Sequence, residues 1–307
     1  MQKYIAIDIG GTDIKYALMD EEANILEKSK VKTPMGEDKT LEDLLVVLGD
    51  VIGLYKGQIA GVAISKPGVI DTQTGHSYSS GALIYVTGQN LPREIKKRFG
   101  VVATVQNDGK CAALAELWKG KLKEVKNGAV VLIGTGIGGG IILDGKLYAG
   151  KRFSAGEFSM LVVDYHNFME ESGYWASISG VNHLRKLTSE KTGISFDELD
   201  GIQIFERANQ GEEKVLQVLD VYTKNLGMQL MNLQILLDLD LIAIGGGISQ
   251  QPLLLEYLEK NIAYLCSHSP LLKYTPNLPR PRITACAFHN DSNLIGALYQ
   301  HINQTRR

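Results

Sequence analysis

Residues 5–26 read IAIDIGGTDIKYALMDEEANIL, and this stretch decides the fold. It opens with an apolar strand that contains Asp8 and runs into the glycine turn Gly10-Gly11-Thr12. A second apolar strand follows from Ile14 to Met19, and after a polar turn a third strand runs from Ile25 to Val31. Strands joined in succession by short turns form a hairpin meander, which differs from a strand that feeds a helix.

The same succession of elements appears a second time, about 125 residues later. Residues 130–150 read VVLIGTGIGGGIILDGKLYAG, again an apolar strand, a glycine-rich turn with a threonine, and further strand-like runs. Solenoid repeats recur at much shorter spacing, about 20–50 residues. The spacing therefore predicts two related halves, each presenting a glycine turn to a shared cleft.

The rest of the chain alternates helical and strand-like segments, which predicts an α/β protein. Apolar residues at helical spacing predict helices over residues 40–55, 182–190, 197–209, 212–237 and about 293–304. Short apolar runs predict strands at residues 59–65, 101–106, 129–133 and 241–244. Asn107 and Asp108 follow one of these strands and directly precede a further helical pattern, so we expect them at a helix N-terminus.

Composition and charge exclude several classes of protein. The 307-residue chain has a net charge of −2, which gives no electrostatic support to nucleic-acid binding. No stretch approaches the roughly 20 apolar residues of a membrane span, and the first residues show no signal-peptide pattern. Cys111, Cys266 and Cys286 match no zinc or disulfide spacing. We therefore expect a cytoplasmic protein of two domains, with reduced thiols and without a nucleic-acid or membrane partner.

Three glycine turns favour a phosphate site. They follow strand-like runs at residues 10–12, 134–140 and 245–247. Glycine lets backbone N–H groups approach a polyphosphate closely and permits positive φ angles. A single glycine pair is commonly only a tight turn, but three such turns, with Asp8 two residues before the first, point to nucleotide binding.

Two well-known nucleotide motifs do not account for these turns. Gly134, Gly136 and Gly139 match the pattern G-x-G-x-x-G, but a Rossmann site requires a helix to begin there. The residues that follow form a strand with an Asp144-Gly145 turn, which predicts a hairpin. The chain contains no G-x-x-x-x-G-K-[ST], so a P-loop is also excluded.

Taken together, the motifs resemble the ROK family of sugar kinases and repressors. The resemblance rests, in the family's order, on DIGGT at 8–12, Asn107-Asp108 before an alanine-rich helix, LIGTGIGGGI at 132–141, AGEF at 155–158 and IAIGGGI at 242–248. The family's repressors carry an N-terminal helix-turn-helix. This sequence begins at the kinase strand, which favours the kinase branch.

The resemblance implies a fold and a division into lobes. The implied fold is the actin-like ATPase (ribonuclease H-like) fold, an α/β fold with two similar lobes around a cleft. We expect a small N-terminal lobe of residues 1–118 plus 291–307 and a larger C-terminal lobe of residues 119–290. Homodimers are common in the family, and an apolar face on the final helices permits one.

The resemblance also implies roles for individual residues, with ATP and Mg²⁺ as cofactors. Asp8 would hold Mg²⁺ directly or through water, and Lys15 would be an extra positive charge or simply a solvated strand residue. The expected nucleotide contacts are Gly10, Gly11, Thr12, Gly134, Thr135, Gly136, Gly245, Gly246 and Gly247. The expected sugar contacts are Gly68, Gly81, Asn107, Asp108 and Glu157, and Asp108 would be the catalytic base.

The residues alone leave two interpretations of Asp108 open. A helix N-terminus stabilises the anionic form of a carboxyl group, as a general base requires. Aspartate is also a common N-cap residue with no chemical role. Glu157 is similarly either an exposed loop carboxylate or an acceptor of hydrogen bonds from two sugar hydroxyls. The resemblance favours the functional interpretation of both.

The sequence departs from the family pattern in two places, one of which is a missing glutamate, often found before an SG element, near Trp175. Most members carry a Glu-x-Gly-His motif and a cysteine cluster that binds zinc, but residues 157–160 read EFSM and residues 161–180 contain no cysteine. We therefore predict no zinc site, with His166 as a non-ligand on a surface loop.

Two further runs, RFSAGEFSMLVVD at 152–164 and SSGALIY at 79–85, look closer to the family's β-glucoside kinases. The resemblance implies phosphorylation of the 6-hydroxyl of a glucose unit in a β-glucoside such as cellobiose, or in free glucose. Tyr85 or Trp175 would then stack on a second sugar ring, although core packing is the simpler role of each. Alternative functions are a fructokinase, an N-acetylmannosamine kinase, or a sugar-binding regulator without catalysis.

Overall fold

The computed structural model describes residues 1–306, and Arg307, the end of the predicted N-terminal lobe, lies outside them. The chain divides into two compact units. Unit 1 contains residues 1–119, 147–155 and the chain from residue 291 onward, and unit 2 contains residues 120–146 and 156–290. The predicted lobe boundaries differ from these units at residue 119 and at residues 147–155, so that division stays a prediction.

The elements follow one another in an α/β order. The strands are β1 Lys3–Ile9, β2 Asp13–Asp20, β3 Ile25–Lys32, β4 Gly61–Lys66, β5 Ile70–Asp71, β6 His76–Ser77, β7 Ala103–Asn107, β8 Gly128–Ile133, β9 Ile137–Leu143, β10 Lys146–Tyr148, β11 Leu241–Gly246 and β12 Ile283–Ala285. The α-helices are α1 Leu41–Gly53, α2 Leu91–Phe99, α3 Asp108–Lys119, α4 Trp175–Ser179, α5 Val181–Thr192, α6 Gly201–Asn209, α7 Glu213–Leu237, α8 Pro252–His268 and α9 Ser292–Thr305. Single turns of 3-10 helix connect some of them.

Unit 1 is built on a five-stranded sheet of order β3-β2-β1-β4-β7. The first three strands form the predicted antiparallel meander, and β4 and β7 run parallel to β1. Every residue of β4 is buried, as expected for a strand that is covered on both faces of its sheet. Helix α9 packs against β1 and β4 and against α3, which anchors the end of the described chain in the core of this unit.

The second sheet repeats this arrangement, with order β10-β9-β8-β11-β12. Strand β9 is antiparallel to β8, whereas β11 is parallel to β8 and β12 is parallel to β11. In unit 2 the long helix α7 packs against α5 and α8. The internal repeat read from the sequence is thus confirmed at the level of sheet topology.

Helix α1 is shorter than expected, and the predicted helices do not include α2, α4 or α8. Helix α1 ends at Gly53 rather than at residue 55, and the N–H of Tyr55 bonds to the carbonyl of Ile52 in a tighter turn. Helix α2 is not among the predicted helices. Its signals are local: the side chain of Asn90 accepts from the N–H of Arg93, and Gly100 ends the helix at φ 72°.

Across residues 1–306, no helix is both long and apolar enough to cross a membrane.

Candidate active site

The carboxyl ends of three parallel strands bring polar side chains together in unit 1. Asp8 in β1 is the register partner of Ser65 in β4, and Lys66, the last residue of β4, is the partner of Asn107 in β7. Parallel strands end at the same edge of a sheet, where ligands of α/β proteins commonly bind. This edge therefore carries an aspartate, a lysine and an asparagine, and Asp108 follows the asparagine.

Asp8 is held in a polar environment although it is nearly buried, at 9% exposure. Its Oδ1 accepts a hydrogen bond from Ser65 Oγ at 2.8 Å and another from Asn293 Nδ2 at 3.1 Å. Burial raises the pKa of this carboxyl group, while these two bonds and the nearby charge of Lys15 act in the opposite direction. A fixed carboxylate of this kind suits a hydrated cation.

The structure separates the roles of the two residues at the start of α3. Asn107 caps the helix, because its Oδ1 accepts from the N–H of Lys110 at 3.0 Å. Asp108 Oδ1 accepts from the N–H of its neighbour Gly109 at 2.8 Å. Asp108 is partly exposed, whereas residues 104–107 and 109–116 are buried. Asp108 is therefore partly exposed at the start of α3, and its side chain is not needed as the cap.

The first glycine turn, residues 10–12, is tied to the strand that follows β2. Thr33 donates its hydroxyl to the carbonyl of Gly10 at 2.7 Å and its N–H to the carbonyl of Thr12 at 3.1 Å. Gly11 and Thr12 are exposed, and a Cβ placed on Gly11 would meet nothing within 4 Å. The turn is thus fixed from behind and open in front, as a backbone cradle requires.

Gly68 and Gly81 lie in two loops that touch. Gly68 has φ 101°, and a Cβ there would lie 2.2 Å from the carbonyl oxygen of Ser79. Gly81 has φ 54°, and its Cβ would lie 3.2 Å from Pro67. Asn107 Nδ2 donates to the carbonyl of Gly68 at 3.0 Å, so the Gly68 loop is joined to the start of α3.

In unit 2 the second glycine turn, residues 134–136, is closed on itself and supported from one side. Gly134 donates its N–H to the carbonyl of Gly136 at 2.9 Å and accepts from the N–H of Val181 at 2.8 Å. A Cβ on Gly180 would lie 2.2 Å from the carbonyl oxygen of Thr135. The chain then continues into β9, so the predicted hairpin is confirmed and a Rossmann helix is excluded.

The third glycine turn, residues 245–247, lies beside the second. Gly246 pairs with Ile133, the residue directly before the second turn, and has φ 99°. A Cβ on Gly246 would lie 2.0 Å from the carbonyl oxygen of Ile133. Gly247 is exposed and its Cβ would meet nothing within 4 Å. Glycine turns therefore follow both β8 and β11 at the carboxyl edge of the second sheet.

Glu157 also belongs to unit 2, directly before a turn of 3-10 helix, and is half-buried. Gly156 before it has φ 82° and lies against Gly140 of β9, which fixes where the glutamate leaves the sheet. Phe158 after it packs against Trp175, with ring centroids 5.5 Å apart.

The proposal that Trp175 stacks on a sugar is wrong for this structure. Its side chain is fully buried in the core of unit 2, so it cannot reach a ligand. Tyr85, the other candidate, is half-buried and donates its hydroxyl to the carbonyl of Pro34 at 2.8 Å.

The side chains at the carboxyl edge of the first sheet suit Mg²⁺ that is bound together with substrate phosphates. They do not suit a metal ion that is held by protein ligands alone. Within the described residues, no three or more His, Cys, Asp and Glu side chains are grouped as a metal site. Mg²⁺ in phosphoryl-transfer sites is commonly bound through one or two carboxylates together with substrate phosphates, and Asp8 fits that pattern. The expected lack of zinc stays a prediction.

Sequence reasoning missed four supporting residues of unit 1: Thr33, Ser65, Lys66 and Asn293. Thr33 and Ser65 lie on or beside strands, where a lone hydroxyl gives no signal. Asn293 lies 285 residues from its partner Asp8. A lysine at the end of an apolar strand, in the run ISKPG at 64–68, was the one signal that could have been found.

The chain is similar to known proteins over nearly its whole length. The family model described as "ROK family" matches residues 4–303. A β-glucoside kinase of Klebsiella pneumoniae is 31% identical, over 99% of this chain and 97% of that protein. An N-acetyl-D-glucosamine kinase of Photobacterium profundum is 27% identical, over 85% of this chain and 89% of that protein.

Two solved structures share the whole architecture. A ROK family protein of Streptococcus pneumoniae in complex with sucrose has a TM-score of 0.86 at 30% identity, with 99% of each chain covered. A ROK family glucokinase of Streptomyces griseus in complex with glucose and AMPPNP has a TM-score of 0.81 at 25% identity, with 96% of this chain and 98% of that chain covered. The fold is therefore the actin-like ATPase fold that the motifs imply.

Proposed function

The chain belongs to the ROK family, and we propose that it is an ATP-dependent sugar kinase that phosphorylates the 6-hydroxyl of a glucose unit, with a β-glucoside such as cellobiose as substrate. The kinase names of its relatives identify it as a sugar phosphotransferase. The observation that carries the proposal is the partly exposed carboxylate of Asp108, which stands at a helix N-terminus already capped by Asn107.

The nucleotide would be bound mainly by backbone. The turns at 10–12 and 134–136 would contact the phosphates of ATP, and the turn at 245–247 would flank the adenosine. These turns leave room for a ligand because Gly11 and Gly247 face open space. Asp8 would hold Mg²⁺ directly or through water, and Mg²⁺ supplies neutralisation of phosphate charge. Lys15, whose charge acts on Asp8, would add to it.

Asp108 would act as the general base. It accepts the proton of the sugar 6-hydroxyl while the oxygen forms a bond to the γ-phosphorus and the bond from that phosphorus to the leaving ADP oxygen breaks. The products are the sugar 6-phosphate and ADP. The helix dipole at the start of α3 favours the anionic carboxylate, and a positioned base contributes about 10²–10⁴-fold to turnover.

The sugar would contact Asn107, Gly68, Gly81 and Glu157. Asn107 is fixed by its bonds to Gly68 and Lys110, so its amide has one orientation and can distinguish hydroxyl positions. The β-glucoside specificity is supported by the 31% identical relative. The runs at 79–85 and 152–164, which prompted that assignment, include Gly81 and Glu157.

An amino-sugar kinase is the second candidate function, favoured by the N-acetyl-D-glucosamine kinase among the relatives. Fructokinase, glucokinase and N-acetylmannosamine kinase activities are tested in the same experiment.

The experiment measures ADP release by the purified chain with ATP and Mg²⁺ across cellobiose, other β-glucosides, glucose, fructose, N-acetylglucosamine and N-acetylmannosamine. We expect the highest kcat/KM with a β-glucoside, and ³¹P and ¹³C NMR of the product should place phosphate on O6. Preference for an acetylated amino sugar would overturn the substrate assignment. Sugar binding by calorimetry without ADP release from any sugar would support a regulator instead.

A further inference from the structure

Lys66 is a buried cation that the roles given above do not use. It is the last residue of β4 and is fully buried, at 0% exposure. Lysine is almost never fully buried unless it is paired, because removing its charge from water costs several kcal/mol. An apolar side chain would fill this position without that cost, so core packing alone does not explain a lysine here.

The ammonium group of Lys66 joins two loops. Its Nζ donates to the carbonyl of Pro67 at 2.8 Å, to Ser80 Oγ at 3.1 Å and to the carbonyl of Ser79 at 3.4 Å. A lysine ammonium has three N–H donors, and these contacts use all of them. They connect the loop that contains Gly68 with the loop that contains Gly81.

The same loops are locked to each other by the backbone. Val69 donates its N–H to Ser79 Oγ at 2.9 Å and accepts at its carbonyl from Tyr78. Gly68 has no room for a side chain against Ser79. Lys66 is therefore buried where the two loops contact each other. Its removal would leave the carbonyl oxygens of Pro67 and Ser79 with fewer hydrogen-bond donors.

Lys66 is also connected to the residues at the start of α3. It is the register partner of Asn107, and Asn107 donates to the carbonyl of Gly68 two residues after Lys66. Asp108 is the charged group that acts on the ammonium: burial lowers the pKa of Lys66 to about 8, and the negative charge of Asp108 raises it in part. The three groups that accept hydrogen bonds from the ammonium are neutral.

We propose that Lys66 is a positioning residue for the acceptor sugar: its buried ammonium holds the 66–69 and 79–81 loops together against Asn107 and places a positive charge beside Asp108. The proposal rests on the proposed sugar kinase function. It assigns to Lys66 an effect on the sugar, through Asn107 and the two glycines, and little effect on ATP.

Two consequences separate positioning from a merely structural role. Loss of Lys66 should raise the sugar KM and lower kcat while the ATP KM stays within about twofold, because a small misplacement of reacting groups can cost about 10²-fold. The wild-type sugar KM should also rise as the pH passes about 8, because the ammonium then loses its proton. Below that pH the charge is present and the sugar KM should be flat.

The test compares wild type, Lys66→Met, Ser80→Ala and Lys56→Met with the best sugar of the panel. Methionine matches the length of the lysine stem without its charge. Lys56 is an exposed lysine of the same unit and controls for the loss of a lysine as such. We expect kcat/KM for the sugar to fall about 10²-fold in Lys66→Met, several-fold in Ser80→Ala and not at all in Lys56→Met. The alkaline rise in sugar KM should be missing in Lys66→Met.

The outcomes keep this proposal separate from the proposed function. If wild type phosphorylates no sugar, the proposed function fails. If wild type is active and Lys66→Met keeps its sugar KM and pH profile, the Lys66 proposal alone is overturned. An equal rise of the sugar and ATP KM values would also overturn it. If Lys66→Met does not fold, the wild-type pH profile and Ser80→Ala decide, and a flat profile together with an unchanged Ser80→Ala enzyme refutes the proposal.

Discussion

The two sheets share one topology but carry different groups at their carboxyl edges. In unit 1 the carboxyl edge carries the side chains of Asp8, Lys66, Asn107 and Asp108 together with the glycine turn at 10–12. In unit 2 the corresponding edge carries the glycine turns at 134–136 and 245–247. The same strand order thus supports charged and amide side chains beside one glycine turn in unit 1, and two neighbouring glycine turns in unit 2.

This difference teaches how the two kinds of ligand would be divided. Proton transfer and sugar hydroxyls need specific side chains, whereas phosphates can be bound by backbone N–H groups. Loss of a side chain should therefore have its largest effect at Asp108 in unit 1, and gain of a side chain should be felt at the glycine turns of unit 2. Substitutions of single residues in each unit test this difference between losing and gaining a side chain.

Asp108→Asn should lower kcat by about 10²–10⁴-fold, because an amide cannot accept the proton of the sugar hydroxyl. The fold and sugar affinity should be kept, since Asn107 caps α3. Steady-state kinetics with calorimetric sugar titration checks both parts. Near-normal turnover in a folded variant would remove Asp108 from the mechanism.

Gly246→Ala should destabilise unit 2 by about 1–3 kcal/mol, because alanine at φ 99° is strained and its Cβ would lie 2.0 Å from the carbonyl oxygen of Ile133. Because the alanine would displace the backbone of this glycine turn, the ATP KM should rise as well. Gly247→Ala is the matched control: its Cβ meets nothing within 4 Å, so the thermal midpoint should stay within about a degree or two. Equal destabilisation by both variants would show that the close contact at Gly246 is not the cause.

Glu157→Gln tests the one side chain in unit 2 that is assigned to the sugar. Loss of charge-assisted hydrogen bonds typically costs about 1.5–3 kcal/mol, so the sugar KM should rise roughly 10–100-fold and the ATP KM little. Kinetics with each substrate varied in turn measures the two values. A similar change in both would make Glu157 an ordinary loop carboxylate.

The buried side chain of His301 should make unit 1 less stable at acidic pH. It is buried at 1% exposure, its Nδ1 lies 3.0 Å from Thr104 Oγ1, and burial lowers its pKa to about 4. Between pH 6.5 and that value the unfolded chain binds a proton that the folded chain does not, so stability is fully present above pH 6.5 and falls with pH. About 2 kcal/mol should be lost by pH 5.

Urea unfolding at pH 7 and pH 5 measures this loss, and His301→Gln should show a smaller one, since glutamine does not titrate. An identical loss in wild type and in His301→Gln would show that other groups cause the acid sensitivity.

Much of the candidate site could be predicted because its signals are local. The order of strand, glycine turn and strand can be read in residues 5–26 and again in 130–150. It predicted the meanders and two of the three glycine turns. Asp8 was identifiable by its place two residues before a glycine turn, and Asp108 by its place after a strand. Trp175 was misjudged because an aromatic residue in a sequence carries no sign of whether it faces a ligand or the core.

The sequence by itself determined the strand meanders, the glycine turns and the carboxylates Asp8 and Asp108 beside them, since each depends on neighbours in the chain. Only the tertiary structure decided what surrounds them. It placed Asn293 on Asp8 across 285 residues, gave the capping of α3 to Asn107, and buried Lys66 between two loops. Such contacts arise where strands and helices pack, and packing depends on all elements at once.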